Sequence, residues 1–231
     1  MRALVTGASR GIGRETAFRF LAAGYEVHGF YLKSRKEAGE LSESGVIMHC
    51  CDVADKEQVN LAAKQIGGLD VLVNNAGVGL RKLFQCVSKA EEGQLYGVNM
   101  FGALNVTRAF LQGMINQKSG SIINISSVFG EVGGSFEVDY STSKAALIGF
   151  TKSLAKEVGP SCVRVNCVTP GVVETDMSGH LTIDDIRRLT SEIPLESVAF
   201  PKDIAETVFF LASPAASYIT GAVIRVDGGW K

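Results

Sequence analysis

No run of about 18 or more apolar residues occurs in this 231-residue chain, so nothing in it is patterned to cross a bilayer as a helix. Its beginning lacks a charged region followed by a long apolar stretch, which leads to the expectation of a cytoplasmic protein without a secretory leader. An excess of one charge is missing too. The 23 Lys and Arg against 24 Asp and Glu leave a net charge of −1, and no like-charge block or basic stripe marks a surface for nucleic acid or membrane. A small polar metabolite is the expected kind of partner. Cysteine is scarce and lacks a pairing pattern: Cys50, Cys51, Cys86, Cys162 and Cys167 are odd in number and contain no C-x-x-C. Most sit in strand-like segments, where they read as small buried hydrophobes of a reducing compartment. The three histidines, His28, His49 and His180, form no ligand spacing with them. No catalytic metal is expected, and the histidines read as ordinary core or surface residues.

What is present is a regular alternation of short apolar strands with amphipathic helices. Strands are predicted at 2–6, 26–31, 46–51, 71–74, 121–126, 163–169 and 223–226. Helices are predicted at 11–23, 34–42, 56–66, 90–97, 100–117, 141–158 and 201–211. Such alternation means a parallel sheet, and right-handed crossovers make it an α/β doubly wound (Rossmann) sheet with its ligand crevice at the carboxyl ends of the strands. No repeat, low-complexity tract or linker divides the chain, so residues 1–231 read as one dinucleotide-binding and catalytic domain.

The first predicted strand runs into Thr6-Gly7-Ala8-Ser9-Arg10-Gly11-Ile12-Gly13 and then a helix. Gly7 permits a tight turn, while Gly11 and Gly13 let backbone and helix N-terminus approach a pyrophosphate whose charge the helix dipole favours. The spacing is G-x-x-x-G-x-G rather than G-x-G-x-x-G, but the strand-turn-helix context is the one dinucleotide binding requires. The end of the second strand bears on which dinucleotide. An NAD site places Asp or Glu there for the ribose 2′-hydroxyl, whereas this chain reads Phe30-Tyr31-Leu32-Lys33-Ser34-Arg35. With no carboxylate to repel a 2′-phosphate, and Arg10, Lys33 or Arg35 to pair with it, NADP(H) is the expected cofactor.

Tyr140-Ser-Thr-Ser-Lys144 puts a phenol and an ammonium four residues apart, on one face of a helix. A tyrosine titrates near ~10, and a cation within a few ångströms lowers that by roughly 1–3 units, which suits the pair to general acid-base work. Ser127 lies thirteen residues upstream.

Together with Asn74-Asn75-Ala76-Gly77, Asn99 and Pro170-Gly171, these motifs make the chain resemble the short-chain dehydrogenase/reductase family from end to end, and within it the 3-oxoacyl-acyl-carrier-protein reductases. The resemblance implies hydride transfer from NADPH to a ketone, with Ser127 and Tyr140 donating to the carbonyl oxygen. It implies that Lys144 holds the nicotinamide ribose and lowers the Tyr140 pKa, and that Asn99 positions a water leading protons to Lys144. Ser126 is the rival for Ser127; the thirteen-residue offset favours Ser127. Asp52, with Val53 beside it, resembles the adenine contact, Asn75-Ala76-Gly77 the turn against the ribose, and Asn74 a brace for the sheet. In Pro170-Gly171-Val172-Val173-Glu174-Thr175 the backbone near Val173 would meet the nicotinamide carboxamide and Thr175 the phosphates.

Substrate and partner expectations come from the same resemblance. Residues 133–139 and 177–195 would wall the pocket and form its lid. In the carrier-protein reductases two basic residues near the mouth meet the acidic carrier; Lys118 matches one, whereas Ser161 stands where the second is expected. Gly-Ser-x-Glu-Val-x-Tyr before Tyr140 is closer to a bacterial subgroup that reduces a ketone on modified elongation factor P, and Glu137 and Asp139 would tolerate an amine there. Helices 100–117 and 141–158, with apolar Phe101, Leu104, Phe110, Leu147, Phe150 and Leu154, would build the interface of a homotetramer. A nonenzymatic NADP(H)-binding regulator on this fold would typically lack the Tyr or Lys, and this chain has both.

Overall fold

The apolar segments β1 (Arg2–Thr6), β2 (Glu26–Tyr31), β3 (Ile47–Cys50), β4 (Val71–Asn74), β5 (Gly120–Ile125), β6 (Val163–Pro170) and β7 (Val223–Val226) pair into one parallel sheet of order β3-β2-β1-β4-β5-β6-β7. The computed structural model describes residues 1–176 and 182–231. His180 and the 177–181 part of the expected lid lie outside the described residues. β1, β4 and β5 are buried along nearly their whole length, as expected of parallel strands covered on both faces. The chain moves outward from β1 to β3, then returns to place β4 on the other side of β1. That reversal opens a crevice at the carboxyl ends of β1 and β4.

Helices α1 (Gly11–Ala22) and α9 (Pro201–Ala212) cover one face, where Ala17, Phe20, Val208 and Leu211 enter the core. Helices α3 (Lys56–Ile66), α5 (Ala103–Asn116) and α7 (Val138–Val158) cover the other through Val59, Phe110 and Leu154, and α2 (Arg35–Glu43) leads into β3. A buried polar line crosses the second interface. Asn74 Nδ2 donates to Thr107 Oγ1 at 3.0 Å and to Asn124 Oδ1 at 2.8 Å, and Asn124 Nδ2 donates to Thr151 Oγ1 at 2.8 Å. Asn74 therefore braces the sheet, tying α5 and α7 to neighbouring strands.

Three local features depart from the sequence pattern. Between α4 (Lys89–Tyr96) and α5, where the pattern predicts a break at 98–99 and a new helix from 100, residues Gly97–Gly102 wind as a π-helix that joins the two. Such widened turns gather at functional sites, and this one carries Asn99. Two further helices appear: α6 (Phe129–Val132), just before the 133–139 stretch read as wall, and α8 (Ile183–Glu192), inside the 177–195 stretch read as wall and lid; Thr182 and Asp185 form a capping box that starts α8. Cys50, Cys86 and Cys162 are exposed, and only Cys51 and Cys167 are buried. The expectation of buried cysteines fails because β3 is an edge strand, Cys86 ends a 3₁₀ turn and Cys162 occupies a left-handed turn. His28 and His49 are joined across β2 and β3 by a 3.0 Å ring-nitrogen bond, with Glu26 on the far nitrogen of His28.

Candidate functional site

The glycine turn forms as its residue types demand. Gly7 has φ +65°, and a Cβ on Gly13 would stand 2.2 Å from the Gly7 carbonyl oxygen, so helix α1 can close on the turn only with glycine there. Thr6 Oγ1 accepts from the amides of Asn75 and Ala76, both at 2.9 Å. Asn75 Nδ2 donates back to the carbonyls of Thr6 and Gly7 at 3.0 and 3.2 Å. Asn75-Ala76-Gly77 and the glycine turn are thereby one rigid unit across β1 and β4. Arg10 is the extended N-cap residue of α1, makes no side-chain cap, and no acidic residue occupies the first turn of that helix. An uncapped N-terminus with this charge pattern suits an anion.

Lys144 is buried, and its Nζ donates to the Ile125 carbonyl at 2.9 Å. Burial pulls its pKa down to about 8. The Tyr140 phenol is pushed up to about 12, chiefly by burial, with the Glu137 charge adding and a hydrogen bond from Ser127 opposing. The expected lowering of Tyr140 by Lys144 is therefore reversed in this geometry. The ammonium lies 5.8 Å from the Tyr140 ring centroid and spends a proton on Ile125, while desolvation acts on the whole phenol.

Position also separates the two serines. Both line the cleft, but Ser126 Oγ donates its proton to the Lys144 carbonyl at 2.7 Å, whereas Ser127 Oγ accepts from Phe129 N at 3.2 Å and pairs with Tyr140. Asn99, buried in the π-helix, accepts from Val78 N at 2.8 Å and donates to Val78 O at 2.9 Å and Ser143 Oγ at 3.1 Å. Its side chain thus clamps the Gly77-Val78 backbone in the way a neighbouring strand would. A Cβ on Gly77 would sit 3.4 Å from Lys144 Nζ and 3.5 Å from Asn99 Oδ1, which places Asn99 beside the lysine.

These parts face one cleft of about 710 Å³, within the usual range for ligand sites. Arg10, Ile12, Asn75, Gly77, Ser127, Tyr140, Lys144, Pro170, Gly171, Val173 and Thr175 all line it. Gly7, Ser9, Gly11, Gly13, Ala76 and Asn99 are not among its lining residues. Asp52 and Val53 lie beyond the carboxyl end of β3, outside the cleft. Asp52 Oδ1 caps the Ala54 amide at 2.9 Å, and the Val53 side chain is buried, its carbonyl accepting from Asn105 at 3.1 Å. Arg10 Nη1 stands 3.3 Å from Asp176 Oδ2 in an exposed pair, the weak kind that a phosphate can displace. Val173 is held by a parallel bridge to Ala199.

Two expectations about the mouth are corrected by topology. Lys118 precedes β5 and Ser161 precedes β6, so both lie at the amino ends of their strands, whereas the cleft lies at the carboxyl ends. A strand of six residues spans roughly 20 Å. Within one chain Lys118 is not at the mouth. Asp139 is buried and accepts from Tyr96 OH at 3.1 Å, so of the two acids before Tyr140 only Glu137 lines the cleft.

Sequence reading missed several lining residues: Arg81, Phe129 and Trp230. Arg188, from the 177–195 stretch expected to wall the pocket, also lines it; it belongs to α8 and pairs with Asp185 at 3.5 Å. None of the three missed residues stands in a motif with its own chemical signature, and only their position in space brings them together.

Against known proteins, a family model described as enoyl-(acyl carrier protein) reductase matches residues 7–231. The chain belongs to the short-chain dehydrogenase/reductase family. A protein named 3-oxoacyl-[acyl-carrier-protein] reductase FabG from Aquifex aeolicus is 43% identical over 236 residues, covering 98% of this chain and 95% of that protein. Proteins of the same name from Staphylococcus aureus and Vibrio harveyi are 40% and 39% identical, each over 98% of this chain and 96% of the relative. Membership makes the chain an oxidoreductase acting between CH–OH and C=O with a nicotinamide cofactor. Among the described residues no helix is long and apolar enough to cross a membrane, and no group of three or more His, Cys, Asp or Glu could hold a metal ion.

Proposed function

We propose that this reductase uses NADPH to reduce the 3-ketone of an acyl thioester carried on acyl carrier protein. The observation that carries the reading is one cleft lined by Ser127, Tyr140 and Lys144 on one side and by the glycine-turn residues Arg10 and Ile12 with Thr175 on another. The named function of the FabG relatives supports the thioester substrate.

The cofactor fits the residues present. The uncapped α1 N-terminus would hold the pyrophosphate, and neither Lys33 nor the rest of the β2 end offers a carboxylate against a 2′-phosphate. When bound, NADPH supplies the hydride. Ser127 and Tyr140 then hydrogen-bond the carbonyl oxygen on which negative charge develops, and Tyr140 delivers the proton that completes the alcohol. Lys144 remains beside Tyr140 as the buried cation, and Asn99 holds the Gly77-Val78 backbone against it. Arg10 exchanges Asp176 for the 2′-phosphate, a charged hydrogen bond worth roughly 1.5–3 kcal/mol, or about 10–150-fold in affinity. Arg10→Ala should erase most of a preference for NADPH over NADH in a calorimetric titration. Equal wild-type binding of the two cofactors would refute the NADPH assignment.

Glu137 supports a second reading, a ketone bearing an amine on a protein lysine, as on modified elongation factor P. Its carboxylate lines the cleft and is felt by Tyr140. The decisive experiment follows NADPH absorbance with a 3-oxoacyl carrier thioester, its free-thioester mimic, an enoyl thioester and a lysine-linked aminoketone protein. Highest kcat/KM on the 3-oxoacyl carrier supports the first reading, and highest on the aminoketone protein the second. A small soluble ketone that matches both makes the protein a general carbonyl reductase.

A further inference from the structure

Trp230 is the chain's single tryptophan, far in sequence from the Ser127 segment yet part of the same cleft. Its ring packs edge-on against Phe129, centroids 5.9 Å apart at 65°. Phe129 is tied to the proposed chemistry, because its amide donates to Ser127 Oγ. Its ring also continues into the next wall: a Cβ on Gly134 would stand only 3.2 Å from Phe129 Cδ1, so no side chain intervenes. Trp230, Phe129 and Gly134 therefore form a continuous surface on the Ser127 and Tyr140 side. Arg10, Ile12, Asn75 and Thr175 form the opposite, cofactor-binding side. The indole Nε1 donates to Glu192 Oε2 at the end of α8, at 3.2 Å. The Lys231 ammonium stands over the ring, 4.2 Å from its centroid, in a cation–π contact; with the indole N–H satisfied by Glu192, what the ring itself adds to the cleft is apolar carbon surface.

We propose that Trp230 is a specificity-determining residue: its indole, seated on Phe129, is the wall against which the carbon chain of the ketone lies, and its bond to Glu192 fixes the ring and holds the end of α8 beside it. This inference rests on the reading of the cleft as a ketone-reducing site and adds the residue that sorts its ketones by the alkyl chain beyond the reacting carbonyl. An indole and a phenyl ring flanking a small Gly134 favour hydrocarbon over polyol or charged chains, since apolar area leaving water is what such a wall rewards.

The test uses the lone tryptophan as its own reporter. The enzyme with oxidised NADP⁺ and a ketone cannot turn over, so ketones of increasing chain length can be titrated while indole emission is read. A saturable change in emission is expected, with affinity rising by up to roughly fourfold for each methylene that reaches the wall. Unchanged emission at ketone concentrations that saturate turnover would overturn the proposal. In kinetics, Trp230→Ala should raise KM for a long-chain ketone by about 10-fold while leaving the shortest nearly unaffected and kcat within about threefold, flattening the chain-length dependence. Trp230→Phe should restore much of that dependence. Equal losses on short and long ketones would mean a structural role only, and the proposal would fall. Because the titration requires no turnover, it tests the wall separately from the reaction assigned to the cleft.

Discussion

Tyr140 and Lys144 show how burial redistributes the ordinary properties of two side chains. A phenol pushed up to about 12 is protonated throughout the working range, so in the reaction proposed above its proton would be available as the carbonyl oxygen gains charge. Tyr140→Phe should leave cofactor affinity nearly unchanged and lower kcat by at least about 10²-fold, the lower end of what a general acid contributes. Retention of more than a tenth of wild-type kcat would remove Tyr140 from the role. The alkaline limb of the pH profile then belongs to Lys144. Its folded pKa of about 8 is below the ordinary 10.5, so the ammonium is present below pH 8 and lost above it. Reduction measured as kcat/KM should be flat up to about pH 8 and fall beyond it; a limb that begins only above pH 10 would contradict the assignment. The same shift has a stability consequence of opposite direction. Between pH 8 and 10.5 the unfolded chain binds the proton that the folded one has released, so this lysine makes stability rise with pH in that window. Lys144→Met should lack that rise in denaturant titrations.

At the scale of elements, the π-helix of Gly97–Gly102 does what an unbroken helix could not. It presents Asn99 to the backbone of Val78, where both ends of the amide are used. Asn99→Ala would leave the Val78 amide and carbonyl short of partners, while Ser143 Oγ keeps its bond to the Tyr140 carbonyl. A loss of about 1–3 kcal/mol is expected for a buried polar group stranded in this way. Thermal melts should show it as a lower Tm, with a fall in kcat as the Gly77 backbone loses its place beside Lys144. An unchanged Tm would mean that Val78 finds other partners. The boundaries of this region were beyond reach of the apolar pattern, because α- and π-turns bury nearly the same residues. By contrast, the extents of β1, β2, β4 and β7 and of α3 agree with the pattern residue for residue, since each has one strong apolar period and distinct end signals.

For the whole molecule, the exposed apolar surface bears on assembly. Of the six apolar residues expected at a helix interface, Phe110, Leu147 and Leu154 are buried in the chain's own core, and Phe101 is 50% exposed. Leu104 and Phe150 are half-buried. Phe200, Phe210 and Tyr218 add exposed rings elsewhere, and Tyr218 is fully exposed. We propose a homotetramer in which the Phe101 helix face packs on a second copy. Light scattering at micromolar concentration should give four times the 24.6 kDa chain mass. Phe101→Glu should lower that mass, and a monomeric wild type would sink the proposal.

By itself the sequence determined what depends on neighbours along the chain: where the seven strands and the main helices lie, that they alternate into a parallel sheet, that Thr6–Gly13 is a glycine turn opening a helix, and that Tyr140 and Lys144 share one helix. Spacing on a helix or in a turn is local geometry, and side-chain type settles it. Only the tertiary structure decided which of the two cleft-lining serines pairs with Tyr140, that Lys118 lies at the opposite end of the sheet, and that Asp139 accepts from Tyr96 rather than lining the cleft. It also decided that Tyr140 is raised rather than lowered, and that Trp230 meets Phe129. Those outcomes depend on strand direction, on distances between elements remote in sequence, and on the loss of water around buried groups, none of which exists until the sheet and its helices have packed.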